Sequence, residues 1–208
     1  MLETAEIKFL RFLSFFFVTL FFPKKNEMES KITLQDKSFK PFIPYEKITA
    51  AIDQVAEKIN ADYKGCNEVP VLLCILNGSI MFTSELMKRL SFNCELVTMK
   101  LSSYQGTAST GKVREVMGMT GSVEGRKVII VEDIVDTGNT IVELVNTVKA
   151  KGAAEIKICT MLLKPEVYDK SIRLDYVGME IPNAFIVGFG LDYNELGRNY
   201  KDIYVIDK

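Results

Sequence analysis

The run Val128-Ile129-Ile130-Val131-Glu132-Asp133-Ile134-Val135-Asp136-Thr137-Gly138-Asn139-Thr140 leaves this chain few ways to fold. Four β-branched residues in succession suit a strand buried on both faces. Two adjacent carboxylates end that stretch, a third acid follows three residues later, and Thr-Gly-Asn-Thr then opens a helix. Strand, loop and helix N-terminus in this order form an anion site, because the turn offers backbone N–H groups and hydroxyls to a phosphate. The acids can hold sugar hydroxyls or a metal-bound ligand, so a phosphorylated sugar fits both halves. The plainer alternative is that Glu132, Asp133 and Asp136 solvate a strand end while Thr137 caps a helix over residues 141–149.

Composition narrows the chemistry. The chain has 208 residues, 48% of them apolar, enough for one domain with a full core and a small subdomain. Its 26 basic and 27 acidic residues argue against a broad nucleic-acid footprint. Zero histidines exclude Ser-His-Asp and Cys-His catalysis and any histidine-ligated metal. Carboxylates, Lys, Arg, hydroxyls and bound metal must carry the reaction. Cys66, Cys74, Cys94 and Cys159 are widely spaced with no C-x-x-C pair, the pattern of reduced core residues in a cytoplasmic protein.

Residues 1–27 contain seven of the 13 phenylalanines and read unlike the remainder. The apolar stretch 12–22 is too short to span a bilayer as a helix, and Phe-Phe-Pro-Lys-Lys-Asn offers no small-residue cleavage site. The expectation is a non-native upstream extension with translation starting at Met28, a targeting segment being the alternative; an intact mass that includes Met1 would overturn it. Residues 28–208 then form a single domain. Pro44 opens a helix with Ile48, Ile52, Val55 and Ile59 at helical spacing. Strands are expected over 69–76, 95–101, 128–131 and 156–163, with helices over 80–90 and after Thr140. This alternation predicts an α/β fold, a mainly parallel sheet flanked by helices, with ligands at the C-terminal strand ends. After Lys164 short strand signals replace βα units, so residues of about 31–43 and 164–208 are expected to form a small hood.

The 128–140 run resembles the 5-phosphoribosyl-1-pyrophosphate (PRPP) signature of the type I phosphoribosyltransferases. Leu162-Leu163-Lys164, Val177-Gly178-Met179-Glu180-Ile181-Pro182 and the stretch from Phe185 to Glu195, followed by Arg198, look like the purine-binding half of the hypoxanthine-guanine members. The resemblance implies the type I phosphoribosyltransferase fold and a function in purine salvage: transfer of phosphoribosyl from PRPP to hypoxanthine and guanine, giving IMP or GMP and pyrophosphate. It implies that Glu132 and Asp133 hold the ribose hydroxyls, that Thr137, Gly138, Asn139 and Thr140 cradle the 5′-phosphate, and that Asp136 is the general acid/base at the purine's imidazole nitrogen. Lys164 would donate to the 6-oxo group, Phe185 stack on the ring, and the Ile186 backbone read its edge. Asp192 would help bind Mg2+ together with Glu132 and Asp133, and Arg198 would meet the pyrophosphate. Ser103 and Tyr104 match the family's lid loop, and Asn77 with Gly78 its pyrophosphate loop.

That last loop departs from the pattern. Relatives often carry Lys-Gly-Gly where this chain has Asn77-Gly78-Ser79, which removes one cation. Within the lid, Gly106-x-x-x-x-Gly111-Lys112 nearly spells a P-loop, but Val113 stands where Ser or Thr is required. The rival readings are a xanthine-preferring enzyme and a catalytically idle nucleotide sensor that controls RNA or transcription. The implied partners are small molecules, with no nucleic acid and no membrane, in a homodimer or homotetramer.

Overall fold

Buried strands need apolar residues on both faces, and the centre of this chain supplies them. The computed structural model describes residues 30–103 and 113–207, the side chains of 101–103 and 113–117 apart. In chain order its elements are β1 (Ile32–Leu34), β2 (Lys37–Ile43), α1 (Tyr45–Asp62), β3 (Val71–Leu76), α2 (Ile80–Met87), β4 (Glu95–Ser103), β5 (Val113–Met117), β6 (Lys127–Val135), α3 (Asn139–Ala150), β7 (Glu155–Leu163), β8 (Tyr176–Glu180), β9 (Ile186–Val187) and β10 (Ile203–Ile206). The large sheet has the order β5-β4-β3-β6-β7-β8, with β4, β3, β6, β7 and β8 parallel and β5 antiparallel at one edge.

Strand alternation divides the apolar residues between two cores. Leu72, Ile129, Val131 and Cys159 face α1 and α2, meeting Ile48, Ile52, Val55, Ile59, Phe82 and Leu86. Val71, Leu73, Val128 and Ile130 face the other way and meet Ile141, Leu144, Val145 and Val148 of α3. Among the described residues no helix is long and apolar enough to cross a membrane. All four cysteines are free; Cys74 and Cys159 are buried as expected, whereas Cys66 and Cys94 are only partly so.

A second, antiparallel sheet of order β1-β2-β10-β9 is built from the two segments expected to form the hood. It has no separate core: Ile43, Ile186, Phe189, Leu191 and Ile203 join the α1-side cluster. Tyr176–Glu180, expected in the hood, is instead the outer strand of the large sheet, with Cys159 opposite Tyr176 and Leu163 opposite Glu180. Tyr176 draws it there, because its ring is buried and its hydroxyl donates to Asp62 at 2.6 Å, while Lys157 Nζ donates to that hydroxyl at 3.1 Å.

The start of α1 ties the hood to the large sheet. Pro44 occupies the N-cap position and makes no side-chain cap. Asp202, at the entrance to β10 and 3% exposed, accepts from the Tyr45 N–H at 2.7 Å. A carboxylate suits this position, where the helix dipole is positive. Asp202→Ala is expected to lower the unfolding free energy by about 2 kcal/mol, read as a drop in the urea midpoint.

Candidate active site

β6 pairs with β3 only as far as Val131 but follows β7 to Val135. Glu132 and Asp133 therefore lie on the strand rather than in a loop after it, at the point where β6 loses one neighbour. The strand continues because Ile134 and Val135 pair with Leu162 and Leu163 and Val135 is buried. Glu132 is itself buried, and burial followed by the charge of Asp133 pushes its carboxyl well above the ordinary range. Burial likewise raises Asp133 to about 6, opposed by the Ile134 N–H, which donates to its Oδ1 at 2.8 Å, and by the charge of Arg198.

The loop after β3 closes over these acids. The Leu76–Asn77 peptide is cis. Gly78 packs directly on Asp133: a Cβ at this position would overlap the carboxylate. Ser79, one of the two departures from the family pattern, is fully buried, and its hydroxyl donates to the Ile75 carbonyl at 2.7 Å and lies 3.3 Å from Cys74 Sγ. Its side chain is spent inside the fold, so the second glycine of relatives is replaced without adding a group to the loop's outer face.

Beyond β6 the chain turns through Asp136, Thr137 and Gly138 into α3. Gly138, at φ 83°, takes the N-cap position without a side-chain cap, so Thr137 is not the cap. The first helical bond runs from Val142 N to Gly138 O at 3.1 Å, and the earlier N–H groups of the helix have no intrahelical partner. Thr137, Asn139 and Thr140 are exposed around them. Lys164 follows β7, its N–H donating to Val135 O at 3.0 Å. Its side chain is largely buried, and Nζ meets Asp136 Oδ2 at 2.9 Å. Two residues 28 positions apart in sequence thus form one donor–acceptor pair.

The hood supplies the remaining groups. Phe185 is 45% exposed, its ring 6.2 Å from Phe39 and edge-on to Tyr193 at 5.9 Å. The Tyr193 hydroxyl donates to Asp36 at 2.8 Å, so the β1–β2 turn holds this platform. Ile186 is buried in β9 opposite Val205. Asp192 Oδ1 pairs with Arg198 at 2.7 Å and its Oδ2 accepts from Glu195 N at 2.8 Å. Arg198 also donates to Gly190 O at 2.8 Å. Gly190, at φ 98°, packs on the Gly78 carbonyl, where any Cβ would collide with it. Gly78 and Gly190 are thus the joint between loop, acids and hood. The sequence gives Gly190 no role of its own beyond its place in the Phe185–Glu195 stretch.

Among the described residues no group of three or more acids or thiols could hold a metal ion, so Glu132, Asp133 and Asp192 do not make a cage together. Both oxygens of Asp192 already take protein donors. Ser103 ends β4 opposite Val113. Tyr104 and the rest of the expected lid, 105–112, lie outside the described residues.

The phosphoribosyl transferase domain family matches residues 44–194. The hypoxanthine-guanine phosphoribosyltransferase of Streptococcus pneumoniae is 41% identical over 174 residues, which cover 83% of this chain and 96% of that protein. A crystal structure of a hypoxanthine phosphoribosyltransferase from Staphylococcus aureus superposes with a TM-score of 0.75 at 35% identity, covering 81% of this chain and 91% of the other. The Trypanosoma cruzi hypoxanthine phosphoribosyl transferase gives 0.76 at 34% identity, over 85% and 95% of the two chains. The chain therefore belongs to the phosphoribosyltransferase family, in its hypoxanthine-guanine branch.

Proposed function

We propose that this chain transfers the 5-phosphoribosyl group of PRPP to hypoxanthine and guanine, forming IMP or GMP and releasing pyrophosphate. The observation that carries the reading is the Lys164–Asp136 pair at 2.9 Å. A 6-oxopurine presents O6 and N7 side by side on one edge. An ammonium can donate to O6 while the neighbouring carboxylate takes the N7 proton as the bond to the sugar forms at N9. Phe185 stacks on the base, beside the backbone of Ile186. The hydroxyls of Thr137 and Thr140 and the turn N–H groups bind the 5′-phosphate, and Glu132 and Asp133 accept from the ribose hydroxyls.

Arg198, held by Asp192 and Gly190, faces the pyrophosphate with the Asn77–Gly78 backbone, and Ser103 and Tyr104 close the site against water. Mg2+ suits this donor set as an ion brought in on the substrate: it keeps several oxygen ligands from phosphate and water and needs only one or two carboxylates. Its chemistry there is neutralisation of the departing pyrophosphate. The catalytic unit is residues 28–208, a cytoplasmic homo-oligomer. Incubating the protein with PRPP, Mg2+ and, separately, hypoxanthine, guanine, xanthine or adenine tests the proposal. IMP and GMP formation is expected, and no product with any purine would overturn it.

The raised Asp133 group makes binding pH-dependent. Hydroxyl donors favour its ionised form, whereas the empty site favours the protonated one. Nucleotide affinity should therefore rise with pH, by roughly tenfold between pH 5 and pH 7 for a group near 6. Folding shows the opposite trend: the unfolded chain ionises first, so this group's stabilisation is complete below the ordinary carboxylate range and is lost as pH rises toward 6. Titration calorimetry with IMP checks the binding trend. Asp133→Asn should shrink this rise, leaving the dependence due to the raised Glu132 carboxyl and to the ligand's own phosphate.

A further inference from the structure

The 5′-phosphate turn has no cation of its own, since Asp136 is the only charged side chain between Val135 and Ile141. A phosphate monoester brings nearly two negative charges. The N-terminus of α3 offers about half a positive charge and a few N–H donors. The basic residues placed at the reacting centre are committed elsewhere: Lys164 to Asp136, and Arg198 to Asp192, Glu195 and the Gly190 carbonyl.

The segment after β7 brings another lysine to the turn. Tyr168 and Lys170 lie against Gly138, where a Cβ would come within 2.5 Å of Tyr168 Cε2 and 2.8 Å of Lys170 Cγ. Their loop is folded back by the Val167 and Tyr168 N–H groups, each donating to Lys164 O at 3.2 Å, and by the Tyr168 hydroxyl donating to Ile172 O. Beyond Cγ, Lys170 still has Cδ, Cε and Nζ with which to reach over the turn. Its ammonium pairs with Asp169, whose side chain is 69% exposed. The Lys170 side chain is 26% exposed, so it is the acid of this pair that stands in solvent, where the contact is screened and can be exchanged.

Resting on the function proposed above, we propose that Lys170 is a ligand-binding residue of the 5′-phosphate site, its ammonium passing from Asp169 to the phosphate when PRPP or a nucleotide binds. The full chain is titrated with IMP and with inosine, which keeps base and ribose but lacks the phosphate. Lys170→Met keeps the methylene packing on Gly138 and removes the charge. It should lose about tenfold in IMP affinity, with inosine unchanged, and raise KM for PRPP but not for hypoxanthine. Lys170→Arg should restore most of the loss, and added salt should shrink the difference. An unchanged IMP-to-inosine ratio in Lys170→Met, with the wild type still preferring IMP, would overturn the role of Lys170 alone. A wild type that binds IMP no better than inosine would overturn the assignment of the turn as well.

Discussion

Asp136→Asn is expected to lower kcat by about 10²- to 10⁴-fold, the range for losing a positioned general acid/base, while KM for PRPP changes by less than about threefold. The amide keeps the size and one acceptor of the carboxylate, so it can still face the Lys164 ammonium at the 2.9 Å position. What it cannot do is take the N7 proton. The loss therefore falls on the chemical step, and steady-state kinetics with PRPP and hypoxanthine varied in turn will separate the two. Equal losses in turnover and in PRPP binding would show that Asp136 holds the donor rather than moves a proton. The partner lysine provides a contrast within the same pair: its loss should appear chiefly as weaker purine binding.

Gly78→Ala should cost at least about 10²-fold in kcat/KM for PRPP, by a different route. Its added methyl overlaps the Asp133 carboxylate on one side, and Gly190 already packs on the Gly78 carbonyl on the other. Neither neighbour can retreat cheaply: Asp133 is held by the Ile134 N–H at 2.8 Å, and Gly190 by Arg198 at 2.8 Å. The acids, the loop and the hood must then shift together, and misplacement by a methyl's width is enough to lose productive geometry. Circular dichroism and a urea midpoint will show whether the fold persists. A folded variant with near-wild-type kcat/KM would mean that this packing does not hold the site. Ser79 makes the opposite case: its hydroxyl points inward to Ile75, and the loop tolerates it where relatives carry glycine.

Much of the fold was legible because its signals are local. A continuous apolar strand, the spacing of Ile48, Ile52, Val55 and Ile59, and the turn at Gly138 each depend on a few neighbouring residues. The sequence does not place Tyr176–Glu180, because a short strand reads alike in either sheet, and only the buried Tyr176 bonded to Asp62 decides between them. The strand through Glu132 and Asp133 was likewise cut short, since two acids look like an end until β7 is seen to continue beside them. β5 gave no early signal; it is an edge strand held by pairing with β4.

The sequence by itself determined the fold class, the family, and the acids and phosphate turn, because short contiguous motifs carry them. The tertiary structure decided which groups act on one another. It brought Lys164 onto Asp136, set Gly78 between Asp133 and Gly190, capped α1 with Asp202, and laid Lys170 against Gly138. Each of these joins residues far apart along the chain, through directional bonds or steric fits a few ångströms across. Local preference fixes elements, but only packing fixes the distances between them.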